Sequence, residues 1–321
     1  MKTIMKHFTS SRRQASLRGM GYGLALAWFV SMTLPAAETG RTFATPEAAV
    51  AALASAVNTT NRNELHAIFG PAADDLVNPD PVQAANEFKT FARALNETNR
   101  LVPESATRCV LELGQAGWPF SVPIVQKDGA WFFDTAAGKD ELMNRRIGRN
   151  ELETLAVVRA YVEAQREYAS RDRAGDGVLK YAQKIISTPG AKDGLFWSPD
   201  LDGEISPLGP LAADAAAEGY GKKGESPGDE PQPFHGYFFK ILTRQGKHAP
   251  GGKYDYVING NMIGGFALVA WPATYGESGV MTFIVNQQGR VYQKDLGPQT
   301  AKTAGAMQSY DPDTTWAVSP D

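Results

Sequence analysis

Asp172, Asp176 and Gly177, within SRDRAGDGVLKYAQ, fall at positions 1, 5 and 6 of a calcium-binding EF loop. Such a loop needs oxygen donors at positions 1, 3 and 5 and a bidentate Glu at position 12. Here position 3 is Ala174 and position 12 is Gln183, so two ligands are missing or weakened. Asp172 and Asp176 are therefore a weak candidate calcium site. The competing reading is a turn in which Gly175 and Gly177 end a long helix. The two carboxylates would then cap backbone amides.

Other reactive groups are sparse. Beyond residue 37 the histidines are His66, His235 and His248, and Cys109 is the one cysteine in the chain. There is no H-E-x-x-H pair and no cysteine cluster for zinc. GESGV at 276–280 is not a G-x-S-x-G elbow, which makes Ser278 a turn residue rather than a nucleophile. No phosphate-binding fingerprint follows a strand, and APGGKYDYVINGNMIGG lacks the helix N-terminus that would hold a phosphate. Carboxylate pairs such as Asp74-Asp75 and Asp200-Asp202 serve a glycosidase only when placed across a cleft. His66, among Leu65, Ile68 and Phe69, reads as a core or boundary histidine. Trp197, His235, Tyr237, Tyr256 and Trp271 are the candidate ligand-binding residues, able to line a groove for sugar or peptide. Packing on strand faces is the other role such aromatics take.

The N-terminus places this chemistry in a compartment. Lys2, Lys6, Arg12, Arg13 and Arg18 precede an uncharged run, GMGYGLALAWFVSMTLPAA, that ends in small residues. That order is a secretory signal, expected over residues 1–37 with cleavage near Ala36 or Ala37. The run is short and interrupted for a spanning helix, so no stable membrane insertion is expected after cleavage. Arg12-Arg13 hints at twin-arginine export, although Ala15 and Ser16 stand where that signal has bulky apolar residues. Without residues 1–37 the balance is 27 Lys+Arg against 35 Asp+Glu, a formal charge of −8. An acidic surface is a poor partner for nucleic acid or anionic lipid. With one cysteine no internal disulfide can form, and Cys109, in the strand-like TRCVLEL, reads as buried. A bacterial periplasmic or secreted location is expected.

These residues must be positioned by a small number of elements. FATPEAAVAALASAV opens with Thr45 as N-cap and Pro46 at the first helical position. Helices RNELHAIF and PVQAANEFKTFARAL follow, then strands with a hairpin at Asp128-Gly129. Asn150 with Glu153 reads as a capping box, which starts the long helix at Glu151 and leaves Arg145, Arg146 and Arg149 in a solvated turn, with an anion site as the alternative. Residues 187–233 are rich in Pro, Gly and Asp and read as surface loops. Strands return from Gly236, with turns at Asn259-Gly260 and Gln288-Gly289. The fold class is α+β: a helix-plus-antiparallel-sheet domain over 43–137, then a helix packed on an antiparallel sheet over 138–321.

From about Phe43 to Val318 the chain resembles an exported bacterial family catalogued as domain of unknown function 2950. The stretches that carry it include WPFSVPIVQKDGAWFFDTAAGKDELMNRRIGRNELETLAVVRAYVEAQREYASRDRAGDG, SPLGPL and GYFFKILTRQG. By element order the first domain resembles cystatin or nuclear-transport-factor-2-like folds. The second is similar, distantly, to the globular part of type IV pilins and pseudopilins, on GFALVAWPATYGESGVMTFIVNQQGRVYQ. That likeness implies a display scaffold, and pseudopilins hold calcium in a loop near the sheet. Here the apolar half of a pilin helix is replaced by the charged GKDELMNRRIGRN. The expected function is non-enzymatic binding of an envelope protein or glycan. A hydrolase using acidic residues, or a pilin-like structural subunit, is the alternative.

Overall fold

Helix α1 (Pro46–Asn58) starts where Thr45 Oγ1 accepts from Ala48 N, with proline in its first turn. The computed structural model describes residues 39–220 and 232–320. The leader expected at 1–37 and the stretch 221–231 of the expected loops lie outside the described residues. Asn61 caps α2 (Arg62–Phe69), and Asp80 caps α3 (Pro81–Glu97) by accepting from Val82 N and Gln83 N. A 3-10 turn at Pro71–Leu76 joins them.

Five strands follow: β1 (Asn99–Ser105), β2 (Arg108–Leu113), β3 (Trp118–Pro119), β4 (Ile124–Lys127) and β5 (Ala130–Phe133). They form one antiparallel sheet ordered β1-β2-β4-β5, with β3 on β2. Between β4 and β5, Asp128 and Gly129 both take positive φ, 53° and 80°, which is the type I′ turn expected of Asp-Gly. Cys109 on β2 is free and buried; burial, with Glu47 and Glu104 near, pushes its thiol pKa up and away from reactivity.

Helix α4 (Thr135–Ala169) corrects the capping-box reading. It starts where Asp134 accepts from Ala137 N and runs unbroken through Asn150. Asn150 is wholly buried and its side chain is spent on other segments, so it is not free to cap. Nor do the arginines form a turn: all three lie in α4, with Arg145 and Arg149 exposed. Arg145 stacks over Trp118 at 5.6 Å, Arg149 pairs with Glu87, and Arg146 is buried.

After a short α5 (Gly209–Glu218) come β6 (Tyr237–Leu242), β7 (Arg244–Gln245), β8 (Tyr254–Asp255), β9 (Val257–Ile258) and β10 (Asn261–Met262). Then follow β11 (Ala267–Pro272), β12 (Met281–Asn286), β13 (Tyr292–Asp295), α6 (Thr300–Ala306), β14 (Ser309–Tyr310) and β15 (Ala317–Val318). The main sheet is antiparallel, ordered β15-β13-β12-β11-β6, while β14 joins β7 in parallel beside β8. The C-terminal part of α4 packs through Leu155, Val158, Tyr161 and Val162 into the core built on this sheet, and Tyr161 Oη donates to Ala267 O at 3.1 Å.

The chain is thus α+β. Two hydrophobic cores form among the described residues, one on residues 49–133 and one on residues 155–310. The expected boundary at 137/138 falls inside α4. No described helix is long and apolar enough to cross a membrane.

Candidate functional site

Lys139, Met143, Arg146, Asn150 and Glu153 recur along α4 at steps of four and three residues, so they share one helix face. That face is polar and runs between the two cores. Near its middle, Asn150 Nδ2 donates to Ser278 O at 2.8 Å, and Asn150 Oδ1 accepts from Gln83 Nε2 at 3.1 Å. One side chain thereby ties α4, the start of α3 and the turn before β12. Gly236 is required beside it, because a Cβ there would lie 2.7 Å from Asn150 Nδ2 and 2.9 Å from Ser278 Cβ.

His235 stands at the lower end of the face. It occupies a two-residue turn whose flanking residues, Phe234 and Tyr237, exchange backbone hydrogen bonds of 2.9 and 3.0 Å. With φ of 49° at His235 and 72° at Gly236, this too is a type I′ turn. The imidazole has Glu153 Oε2 2.7 Å from Nδ1 and Glu218 Oε2 3.5 Å from Nε2. Tyr220 packs beside it and donates through Oη to the buried Asp80 at 2.7 Å; burial first, then Asp80, pushes the Tyr220 phenol pKa up. Carboxylates on both ring nitrogens suit proton transfer. Ser278 is spent on its own turn: its buried Oγ donates to Thr274 O and accepts from Thr274 N.

At the other end lies a cavity of about 100 Å³ lined by Asp74, Asp75, Lys139, Met143, Arg146 and Glu277. Arg146 is only 4 % exposed. Its Nη2 donates to Leu76 O at 3.1 Å, its buried Nε has no partner, and among the described residues no carboxylate comes within ion-pair range. Burial lowers its pKa, opposed by Glu87 and Glu277. Lys139 is different, since it bonds Asp75 at 2.9 Å.

Of the two roles open to the aromatics, groove lining or packing, the structure shows packing. Tyr237 and Tyr256 are entirely buried, with their hydroxyls donating to Met281 O and Gln245 Oε1, each at 3.0 Å. Trp197 is also core, its Nε1 donating to Glu204 O at 3.1 Å. Trp271 is half-buried against Phe238. Of the expected ligand-binding residues only His235 belongs to the polar face of α4. Asn150 and Glu153 are missed as site residues, and Arg146 is singled out only together with Arg145 and Arg149. The signal that could have found them is their helical spacing with Lys139 and Met143.

Asp172 and Asp176 form a capped turn. Asp172 accepts from Ala174 N, Gly175 N and Gly177 N at 3.2, 2.8 and 2.7 Å. Asp176 accepts from Val178 N at 3.1 Å and pairs with Lys180, so an ammonium stands where a cation would sit. Among the described residues no three His, Cys, Asp or Glu side chains converge on a metal position. Millimolar calcium is expected to leave the melting temperature unchanged, while Asp172→Ala lowers it with or without the ion. A calcium-dependent rise abolished by Asp172→Ala would overturn this.

The loops beyond are held by ion pairs and cation–π contacts. Arg173 lies between Tyr168 and Trp197, 5.2 and 5.3 Å from the ring centroids, and pairs with Glu204 at 3.3 Å. Burial works against ionisation of Asp193, but bonds from Lys184 Nζ, Thr188 N and Thr188 Oγ1 outweigh it and hold the carboxyl down to about 2. An unfolded aspartate titrates near 3.9, so the unfolded chain binds the proton first as pH falls. The contribution is present above about pH 4 and lost as pH drops through about 2. Asp193 is 43 % exposed, so solvent keeps the effect small. The melting-temperature gap between wild type and Asp193→Asn should therefore close between pH 5 and pH 2; a constant gap would count against it.

A family model described as "protein of unknown function (DUF2950)" matches residues 40–318. No curated protein and no solved structure matches the chain.

Proposed function

The chain belongs to the DUF2950 family, a membership that names no reaction, and we propose that it is a non-enzymatic exported protein that binds an envelope component along the polar face of α4. The observation that carries this reading is Arg146, a buried guanidinium with no carboxylate in ion-pair range among the described residues, beside a cavity built from three chain segments. Burying a charge is costly unless something pairs it, and a bound partner can supply the pairing. Ligand sites also favour such junctions between packed layers. Export rests on the charge and apolar order of residues 1–37, and the location would be a bacterial periplasm or the exterior. The partner would be an envelope protein or glycan, not nucleic acid.

The test is cosedimentation of the exported chain with purified cell-wall sacculi and with envelope vesicles. Retention by either without release of soluble sugar supports binding; retention by neither rejects it. One observation favours a second reading, a cell-wall or polysaccharide hydrolase: Glu153 and Glu218 flank opposite nitrogens of His235. It predicts release of reducing ends from sacculi, abolished by Glu153→Gln and by Glu218→Gln. The helix-on-sheet arrangement of α4 with β6 and β11–β13 is compatible with the pilin-like resemblance. A pilin-like structural subunit would form polymers, so a monodisperse monomer in solution would count against that reading.

A further inference from the structure

We propose that the cavity at Arg146 binds a small zwitterion, an α-amino acid with free carboxylate and ammonium groups and a short side chain. This rests on reading the α4 face as a binding surface and adds the ligand class. The guanidinium carries five N–H donors, of which one bond, to Leu76 O, is made. Its edge lining the cavity is therefore a carboxylate receptor in waiting, and arginine suits carboxylates through its planar fork.

The rest of the lining selects what comes with the carboxylate. Asp75 is engaged by Lys139 and Asp74 lies 4.0 Å from His66 Nε2, which leaves Glu277 as the lining carboxylate with no ion-pair partner among the described residues. Counted whole, the lining has three acids and two bases. A phosphate dianion would add repulsion to an acidic wall, and a simple cation would meet Arg146 and Lys139. A zwitterion satisfies both signs at once. Size narrows the class further. About 100 Å³ is well above the roughly 10–15 Å³ that admits one water, yet far below the roughly 300 Å³ where drug-sized pockets begin. Val77 and Met143 give the apolar contact that a Cα and a short side chain need.

The full exported chain, titrated by calorimetry and by melting-temperature shift, provides the test. The probes are L-alanine, D-alanine and glycine, with N-acetylalanine, alaninamide and inorganic phosphate as comparators. Alanine or glycine should bind, and N-acetylalanine, alaninamide and phosphate should bind at least about tenfold more weakly. Glu277→Gln, at an exposed position, should weaken alanine binding about fivefold or more without lowering the melting temperature of the free protein. Arg146→Lys, which keeps the charge but loses the fork, should weaken it too. Equal binding of N-acetylalanine, tight binding of phosphate, or no heat with any amino acid at 10-fold excess over about 1 mM would each overturn the proposal. Sacculus retention without amino-acid binding sinks this inference alone; loss of both sinks the binding reading with it.

Discussion

Asn150→Ala is expected to be among the most damaging single substitutions in this chain. It strands the buried Ser278 carbonyl without its side-chain partner and leaves the buried Gln83 amide only the longer 3.4 Å contact to His235 Nδ1. Each buried polar group left unpaired costs about 1–3 kcal/mol, so roughly 2–6 kcal/mol is lost. For a chain of this size that corresponds to a fall in melting temperature of roughly 4–12 °C. One turn away, Thr154 provides the contrast. It is equally buried, but its Oγ1 has no partner at all. Thr154→Val removes a desolvated hydroxyl at nearly constant volume and should be neutral or stabilising. Thermal melts of the two variants decide the matter. If Thr154→Val costs as much as Asn150→Ala, the face is held by shape and not by its hydrogen bonds.

This contrast also marks where local reading stops. Thr45-Pro46, Asp128-Gly129 and Asn259-Gly260 announce themselves because cap and turn chemistry is settled within four residues. Asn150-x-x-Glu153 carries the same local signature as a capping box, yet distant partners at Gln83 and Ser278 claim the asparagine. His235-Gly236 adopts the same turn as Asn259-Gly260, and it was missed because histidine is not a usual residue at that position. The aromatics failed for a further reason. In β11, Ala267 to Ala270 are buried on both faces and β6 beside it is buried or partly buried throughout, so an aromatic looks the same in sequence whether it packs or binds. Arg173 completes the pattern. Its burial depends on Tyr168 and Trp197, and no local spacing reports that sandwich. Class and element order were legible; the polar face of α4, assembled from four separated segments, was not.

Gly279→Ala should come next in effect, for a steric reason. A Cβ at this position would lie 2.5 and 2.6 Å from Tyr237 Cζ and Cε2, and closer still to Oη. Tyr237 has nowhere to retreat: it is wholly buried, packs on Phe283, and its hydroxyl is bonded to Met281 O. Overpacking of this kind costs about 1–3 kcal/mol or more, and the rigidity of the ring argues for the upper end. Gly276, in the same turn, isolates the alternative cause. It has a positive φ of 79° but open space around it, so Gly276→Ala carries only backbone strain of about 1–2 kcal/mol. Gly279→Ala should therefore melt lower than Gly276→Ala, although only the second breaks a φ rule. Tyr237→Phe should not rescue it, because the ring carbons remain in the way. Tyr237→Leu clears them, so Gly279→Ala combined with Tyr237→Leu should cost measurably less than the two single changes added together. Strict additivity would mean that the Ala methyl is accommodated by movement of the 276–280 turn. Because that turn also carries Glu277 and the Ser278 carbonyl, the movement would then show as weakened alanine binding in Gly279→Ala, a second readout on the same variant.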